Sequence, residues 1–147
     1  MITSKQILTD IVGFINGVEF PVNDTPTTLA ALVNGGVYRA GLRPRDSKAE
    51  DVVVAFLTGK PYEIQTGYVN ISIYVPDICP YGNGVYVENM ERTDELEAAL
   101  AGWVEALNAG VTTGYLFDGE DTINTVEDAE IHQHFVYIRL HYKYYNN

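Results

Sequence analysis

Hydrophobic residues near the start of the chain recur at helical spacing. Side chains three and four positions apart share one face of a helix, so the pattern predicts an amphipathic helix over about residues 4–16. Thr3 or Ser4 can cap this helix, and Gly17 favours its end. The apolar stripe consists of Ile7, Leu8, Ile11, Val12 and Ile15.

A second stripe of the same period predicts another helix over residues 93–107. Thr93 is a suitable N-cap, and the acidic residues that follow it suit the positive end of the helix dipole. A short helical turn is also expected over residues 29–33, capped by Thr27 or Thr28. The stripe of the long helix consists of Leu96, Leu100, Trp103, Val104 and Leu107.

Elsewhere the apolar period changes from 3.6 to 2, which predicts β-strands. The clearest strand alternates Val69, Ile71, Ile73 and Val75 with polar residues and tyrosines. The C-terminal strand alternates Val136, Ile138, Leu140, Tyr142 and Tyr144 in the same way. Shorter strands are expected at residues 37–40, 51–57, 85–87 and 115–117, the second of them buried on both faces.

Two segments show neither period. Residues 18–28 contain two prolines, an asparagine and an aspartate, which is typical of an extended loop, and the acidic residues 118–130 are typical of a solvated, mobile loop. With short connections between the remaining elements, we predict one α+β domain over residues 1–147. Its two main helices should pack on one face of a mainly antiparallel β-sheet.

Charge is unevenly distributed over the 147 residues, whose net charge is −11. Residues 61–131 hold fourteen acidic residues and one base, Arg92, so most of the excess negative charge lies there. Because binding to a phosphate backbone depends on lysine and arginine, we expect no tight nucleic-acid binding. We also expect no membrane segment and no secretion signal, and the single Cys79 suits a reducing cytosol.

Candidate catalytic or metal-binding residues are few. His132 and His134 are two positions apart, as on one face of a strand, where they could hold a metal with Asp118, Glu120 or Asp121. His141 should point to the opposite face, and the acidic segment lacks the order of an EF-hand loop. No nucleophile, phosphate-binding or cofactor signature is present, so we expect a structural or interaction subunit that is not an enzyme and has no cofactor.

Two groups of residues are candidates for a subunit interface. The basic segment, residues 39–48, is an exception to the acidic charge and would suit contact with acidic residues of a second copy. Its basic residues are Arg39, Arg43, Arg45 and Lys48. Tyrosine is common at protein interfaces, and the C-terminal strand offers Tyr142 and Tyr144.

Several segments, taken in order along the chain, resemble a family of small phage proteins. They are the N-terminal helix, the segment GVYRAGLRP at residues 36–44, the strand IQTGYVNISIYV at residues 64–75, the helix at residues 93–107, and the closing strand HFVYIRL at residues 134–140. This order of elements is similar to that of the tail-terminator, or tail-completion, proteins of long-tailed bacteriophages and prophages.

The resemblance implies a subunit of a closed homo-oligomeric ring, usually a hexamer, with no cofactor. Such a ring ends the tail tube and joins it to the head-tail connector, so the implied partners are further copies of the chain, the tube protein and the connector protein. The implied location is the virion, after assembly in the host cytoplasm. Another head-tail adaptor, a minor tail protein, a host-encoded binding module and a small metal-dependent enzyme using His132 and His134 are the alternatives.

Overall fold

The computed structural model describes residues 1–60, 62–109, 114–119 and 122–145. The helices are α1 (Ser4–Gly17), α2 (Leu29–Leu32) and α3 (Met90–Leu107). The strands are β1 (Glu19–Val22), β2 (Thr25–Thr28), β3 (Val37–Arg39), β4 (Val52–Lys60), β5 (Ile64–Pro76), β6 (Tyr115–Gly119), β7 (Asn124–Asp128) and β8 (Gln133–Tyr145). A single 3-10 turn, Ala129–Ile131, precedes β8.

The main sheet has the strand order β3-β4-β5-β8-β6, and β7 also pairs with β8. The pairs are antiparallel except β3 with β4, which is parallel. β7 covers the first part of the free edge of β8, and β6 covers a later part. The predicted α+β class and mainly antiparallel sheet are confirmed.

One face of the sheet is buried under α1 and α3, which share a single hydrophobic core with it. Ile7, Ile11 and Ile15 are the buried residues of α1, as the apolar stripe predicts. The other face carries half-buried side chains that alternate with the core residues, and we call it the open face. Among the described residues, no helix is long and apolar enough to cross a membrane.

Helix α3 begins earlier than the predicted helix at residues 93–107. Asn89, not Thr93, caps it by accepting a hydrogen bond from the backbone N–H of Arg92 at 3.3 Å. Thr93 is buried, and its hydroxyl donates to Glu88 at 2.6 Å. A threonine can make such a bond within the first turn, so its presence alone did not locate the helix start.

The prediction of an extended loop at residues 18–28 is wrong, because β1 and β2 form an antiparallel hairpin there. Its two turn residues, Asn23 and Asp24, have φ of 50° and 64°. Positive φ at both central positions is the requirement of a type I′ turn, which asparagine and aspartate tolerate. Pro21 and Pro26 face each other in an isolated two-stranded ribbon, where proline is acceptable.

The acidic residues 118–130 are also more ordered than predicted. They include the end of β6, all of β7 and the 3-10 turn, so the expectation of a loop throughout is wrong for the part that the structure describes. Pairing of β7 with β8 supplies the backbone hydrogen bonds of this segment. The strongly acidic sequence gives no sign of that pairing. β4 likewise departs from the prediction of burial on both faces at residues 51–57, because Val53 and Ala55 are only half-buried and Leu57 is exposed.

Candidate interaction surfaces

The basic segment is anchored to the open face by Arg43. The Nε of Arg43 donates to Asp51 at 2.8 Å, and an Nη donates to Gln133 at 2.9 Å. Its guanidinium also lies 4.1 Å from the centre of the Tyr74 ring. Contact of Arg43 with an acidic residue of another subunit stays a prediction, although the side chain is only 11% exposed. Its charge is compensated inside the chain.

Asp51 is the centre of this anchor. Burial tends to raise its pKa, but hydrogen bonds from Ser47, the Gly36 backbone and Arg43 outweigh burial, so that the pKa is lowered. A Cβ on Gly35 would overlap the Asp51 carboxylate, which explains a glycine at this close approach. The segment is therefore held in one place by a satisfied buried network.

The other basic residues of the segment remain accessible. Arg45 and Lys48 are exposed, and Arg39 is half-buried at the end of the edge strand β3. Leu42 lies among them with 66% of its surface exposed. The accessible surface of the basic segment is thus an apolar side chain with basic residues on both sides of it in sequence.

The tyrosines predicted at the interface have other roles within the described fold. Tyr142 is fully buried in the core, and burial raises the pKa of its hydroxyl. Its side chain is therefore not accessible at the surface of a single copy. Tyr144 is half-buried, with its ring 4.8 Å from that of Tyr115. Tyr115 is buried too, and its hydroxyl donates to Asp10 at 2.6 Å; burial and this bond raise its pKa.

The two candidate metal ligands have separate partners. His134 Nδ1 lies 2.6 Å from Asp77, and its Nε2 lies 3.7 Å from Glu88. His132 precedes β8 in a left-handed conformation, with φ of 54°, and stacks on Tyr86 at 4.8 Å. The prediction that both histidines lie on one strand face is therefore wrong. Within the described ranges, no three histidine, cysteine or acidic side chains are grouped to hold a metal.

Asp118, another residue of the metal hypothesis, lies beside His141 and not beside this pair. His141 lies on the open face, with its ring 5.0 Å from that of Tyr68. Its Nδ1 is 3.9 Å from Asp118, which pairs with it across β6 and β8. Glu120 and Asp121 lie outside the described residues.

An unexpected feature is a group of exposed apolar side chains that runs from the loop after β5 to the first residue of α3, and we call it the apolar tip. Its members are between 41% and 87% exposed. They are Ile78, Tyr81, Val85, Tyr86, Val87 and Met90. Paired backbone hydrogen bonds between Ile78 and Val87, both 2.9 Å, close the loop that carries them. Only Val87 of the predicted strand at residues 85–87 makes a strand-like bridge.

Exposed acidic side chains follow the apolar tip in α3 and occur in the 3-10 turn before β8. Glu91 and Asp94 are exposed in the first two turns of α3, and Glu130 is exposed in the 3-10 turn next to His132. The tip was missed because its residues follow no period. An available signal was the density of large apolar residues within a turn-rich segment, since monomers seldom expose contiguous apolar patches.

A second apolar cluster, the far end, lies at the other end of the sheet. Its exposed members are Leu57, Tyr62, Ile64, Leu116 and Tyr145. β5 and β8 pair over their whole length, from Pro76 with Gln133 to Ile64 with Tyr145. At about 3.4 Å per residue, this strand pair is roughly 40 Å long.

The open face between these ends is largely occupied by its own contacts. Tyr74 and Phe135 have ring centres 5.3 Å apart, and the Tyr137 hydroxyl donates to Asn70 at 3.0 Å. The most exposed apolar side chains are therefore near the ends of the sheet, where chemistry suited to protein contact is concentrated.

No known family model matches the chain, and no curated protein matches it in sequence.

Proposed function

We propose that the chain is a structural subunit of a bacteriophage tail that performs no catalysis. Copies close into a ring, a hexamer as in the family that the sequence resembles, which ends the tail tube and joins it to the head connector. The observation that carries this proposal is the presence of two separate apolar clusters at opposite ends of the β5–β8 strand pair. A subunit that contacts neighbouring copies and other tail components needs more than one contact surface.

Exposed apolar side chains are ordinary when they are scattered singly. Here they are concentrated in two groups, and large exposed apolar groups mark sites of protein contact. Both groups contain tyrosine, and the apolar tip also contains Met90; these residue types are enriched at protein interfaces. This composition supports assembly as the role of the chain.

Charge supports the same proposal. The net charge of −11 repels a phosphate backbone, so a ring of such subunits lets the genome pass without holding it. Arg43 and Arg92 form ion pairs within the chain. This leaves fewer bases to neutralise phosphates than the composition alone suggests.

The alternative roles differ in how the surfaces support them. A head-tail adaptor or minor tail protein would use the same two ends, and its position in the virion distinguishes it from a terminator. The metal-dependent enzyme receives no support, because His132 and His134 have different partners.

The proposal is tested by mixing the purified chain with tail tubes that lack a terminator and imaging the products by electron microscopy. We expect a ring of density at one end of each tube and tubes of uniform length when the chain is present during tube growth. A matched Leu57→Asp variant changes an exposed residue of the far end and should bind tubes less well without loss of folding. Tubes that grow without limit and carry no added density would contradict the proposal.

A further inference from the structure

We propose that the apolar tip of one copy docks on the basic segment of a second copy. This inference rests on the proposed ring and specifies the surfaces that form it. Neither surface is complementary to itself, since the tip is bordered by acidic residues and the segment carries basic residues. Each instead matches the other in charge and in apolar character.

The apolar tip supplies the larger apolar area. Tyr81 is its most exposed aromatic side chain, at 87%, and Val85 is its most exposed branched aliphatic side chain, at 57%. Glu91 and Glu130 provide negative charge nearby. His132 stacks on Tyr86, which connects the tip to the turn that carries Glu130. A partner for this surface needs an apolar contact with positive charge beside it.

The basic segment meets this requirement within the same chain. Leu42 provides an exposed apolar contact, and Arg45 and Lys48 provide exposed positive charge. Arg43 fixes the segment through its buried bonds to Asp51 and Gln133, so the surface is formed before any partner binds. The basic segment of a second copy therefore has the apolar contact and the positive charge that a partner of the apolar tip needs.

The two surfaces are carried by different segments of the fold. Arg43 lies over Tyr74, whose side chain belongs to the open face, and so the basic segment lies on that side of the sheet. The tip continues into α3, which packs on the buried face. A copy can therefore receive one neighbour and dock on another, which is the head-to-tail arrangement that closes into a ring.

Two variants separate these surfaces. Tyr81→Ser/Val85→Ser removes the apolar centre of the tip, and Arg45→Glu/Lys48→Glu reverses the charge of the basic segment; all four side chains are exposed in the monomer. Thermal melting of both should match wild type, which checks folding. Lys60→Glu reverses an exposed base outside the segment and serves as the matched control.

Sedimentation velocity then gives distinct outcomes. We expect wild type and Lys60→Glu to form closed oligomers with rising concentration and each double variant alone to stay monomeric. An equimolar mixture of the two double variants should stop at a dimer, because it retains one intact tip facing one intact segment.

Other outcomes overturn the inference. If wild type forms rings and both double variants also form them, the ring uses other surfaces and the proposed function survives. If the tip variant assembles normally but no longer binds the tail or connector protein, the tip serves a different partner. A wild type that never associates, in solution or on tube ends, contradicts the proposed function as well.

Discussion

At one end of the sheet, the usual distribution of side chains is reversed between two neighbouring regions. Glu50 and Asp51, which precede β4, are only 8% and 1% exposed. The apolar tip beside the end of β5 is 41% to 87% exposed. Buried charge and exposed apolar groups are the informative exceptions in a globular protein. The first region fixes the fold, and the second is available to a partner.

The buried acidic pair holds two different parts of the chain. Glu50 accepts hydrogen bonds from two nitrogens of Arg92 at 2.8 and 2.9 Å, which fixes the start of α3. Asp51 accepts from Arg43 and fixes the basic segment. Glu50 and Asp51 thus hold both proposed contact surfaces in place, because the tip ends where α3 begins. Changes in this acidic pair should alter stability, whereas changes at the tip should alter association.

The largest effect is expected in the shared core. Trp103 is fully buried between α3 and the sheet, and its indole N–H donates to the carbonyl of Phe14 at 3.3 Å. We expect Trp103→Ala to lower the free energy of unfolding by about 3 to 5 kcal/mol, as for other buried aromatic residues. Urea unfolding followed by circular dichroism measures this, and a variant as stable as wild type would show the packing to be misassigned.

A smaller loss is expected at the buried ion pair. Arg43→Ala leaves the Asp51 carboxylate buried without its cation, which should cost about 3 kcal/mol. Arg45→Ala removes an exposed base from the same segment and should change stability by no more than about 0.5 kcal/mol. Equal losses of unfolding free energy for the two substitutions, measured by urea unfolding, would contradict the view that Arg43 anchors the segment while Arg45 lies on its surface.

Asp51 should make stability depend on pH. Because the pKa of Asp51 is lowered in the folded state, its stabilising contribution is present above the unfolded pKa of about 3.9 and is lost as pH falls through the folded value. The stability difference between wild type and Asp51→Asn should therefore shrink at low pH. Asp46→Asn, at an exposed position, is the control. A constant difference across the acid range would contradict this role of Asp51.

The smallest effect on stability is expected at the apolar tip. Tyr81→Ser removes a side chain that is almost fully exposed, so the free energy of unfolding should change by no more than about 0.5 kcal/mol. Its effect should instead appear as weaker self-association in sedimentation. A large loss of stability without a change in association would show that Tyr81 stabilises the fold and does not contact a second copy.

The helices could be predicted from the sequence, whereas the apolar tip and the Asp51 network could not. The stripe containing Ile7 and Ile11 located α1, because burial on one side leaves a periodic pattern. The tip and the Asp51 network leave no period, since their positions depend on residues distant in sequence. Arg43 and Arg45 look alike in the sequence, yet only the fold brings Gln133 within reach of Arg43.

The central claim is that this chain assembles into a closed ring, and native mass spectrometry of the purified protein over a concentration series tests it most directly. The account predicts monomers at low concentration and one discrete closed oligomer, a hexamer, at high concentration or on tube ends. Monomers under every condition, including in the presence of tail tubes, would contradict it.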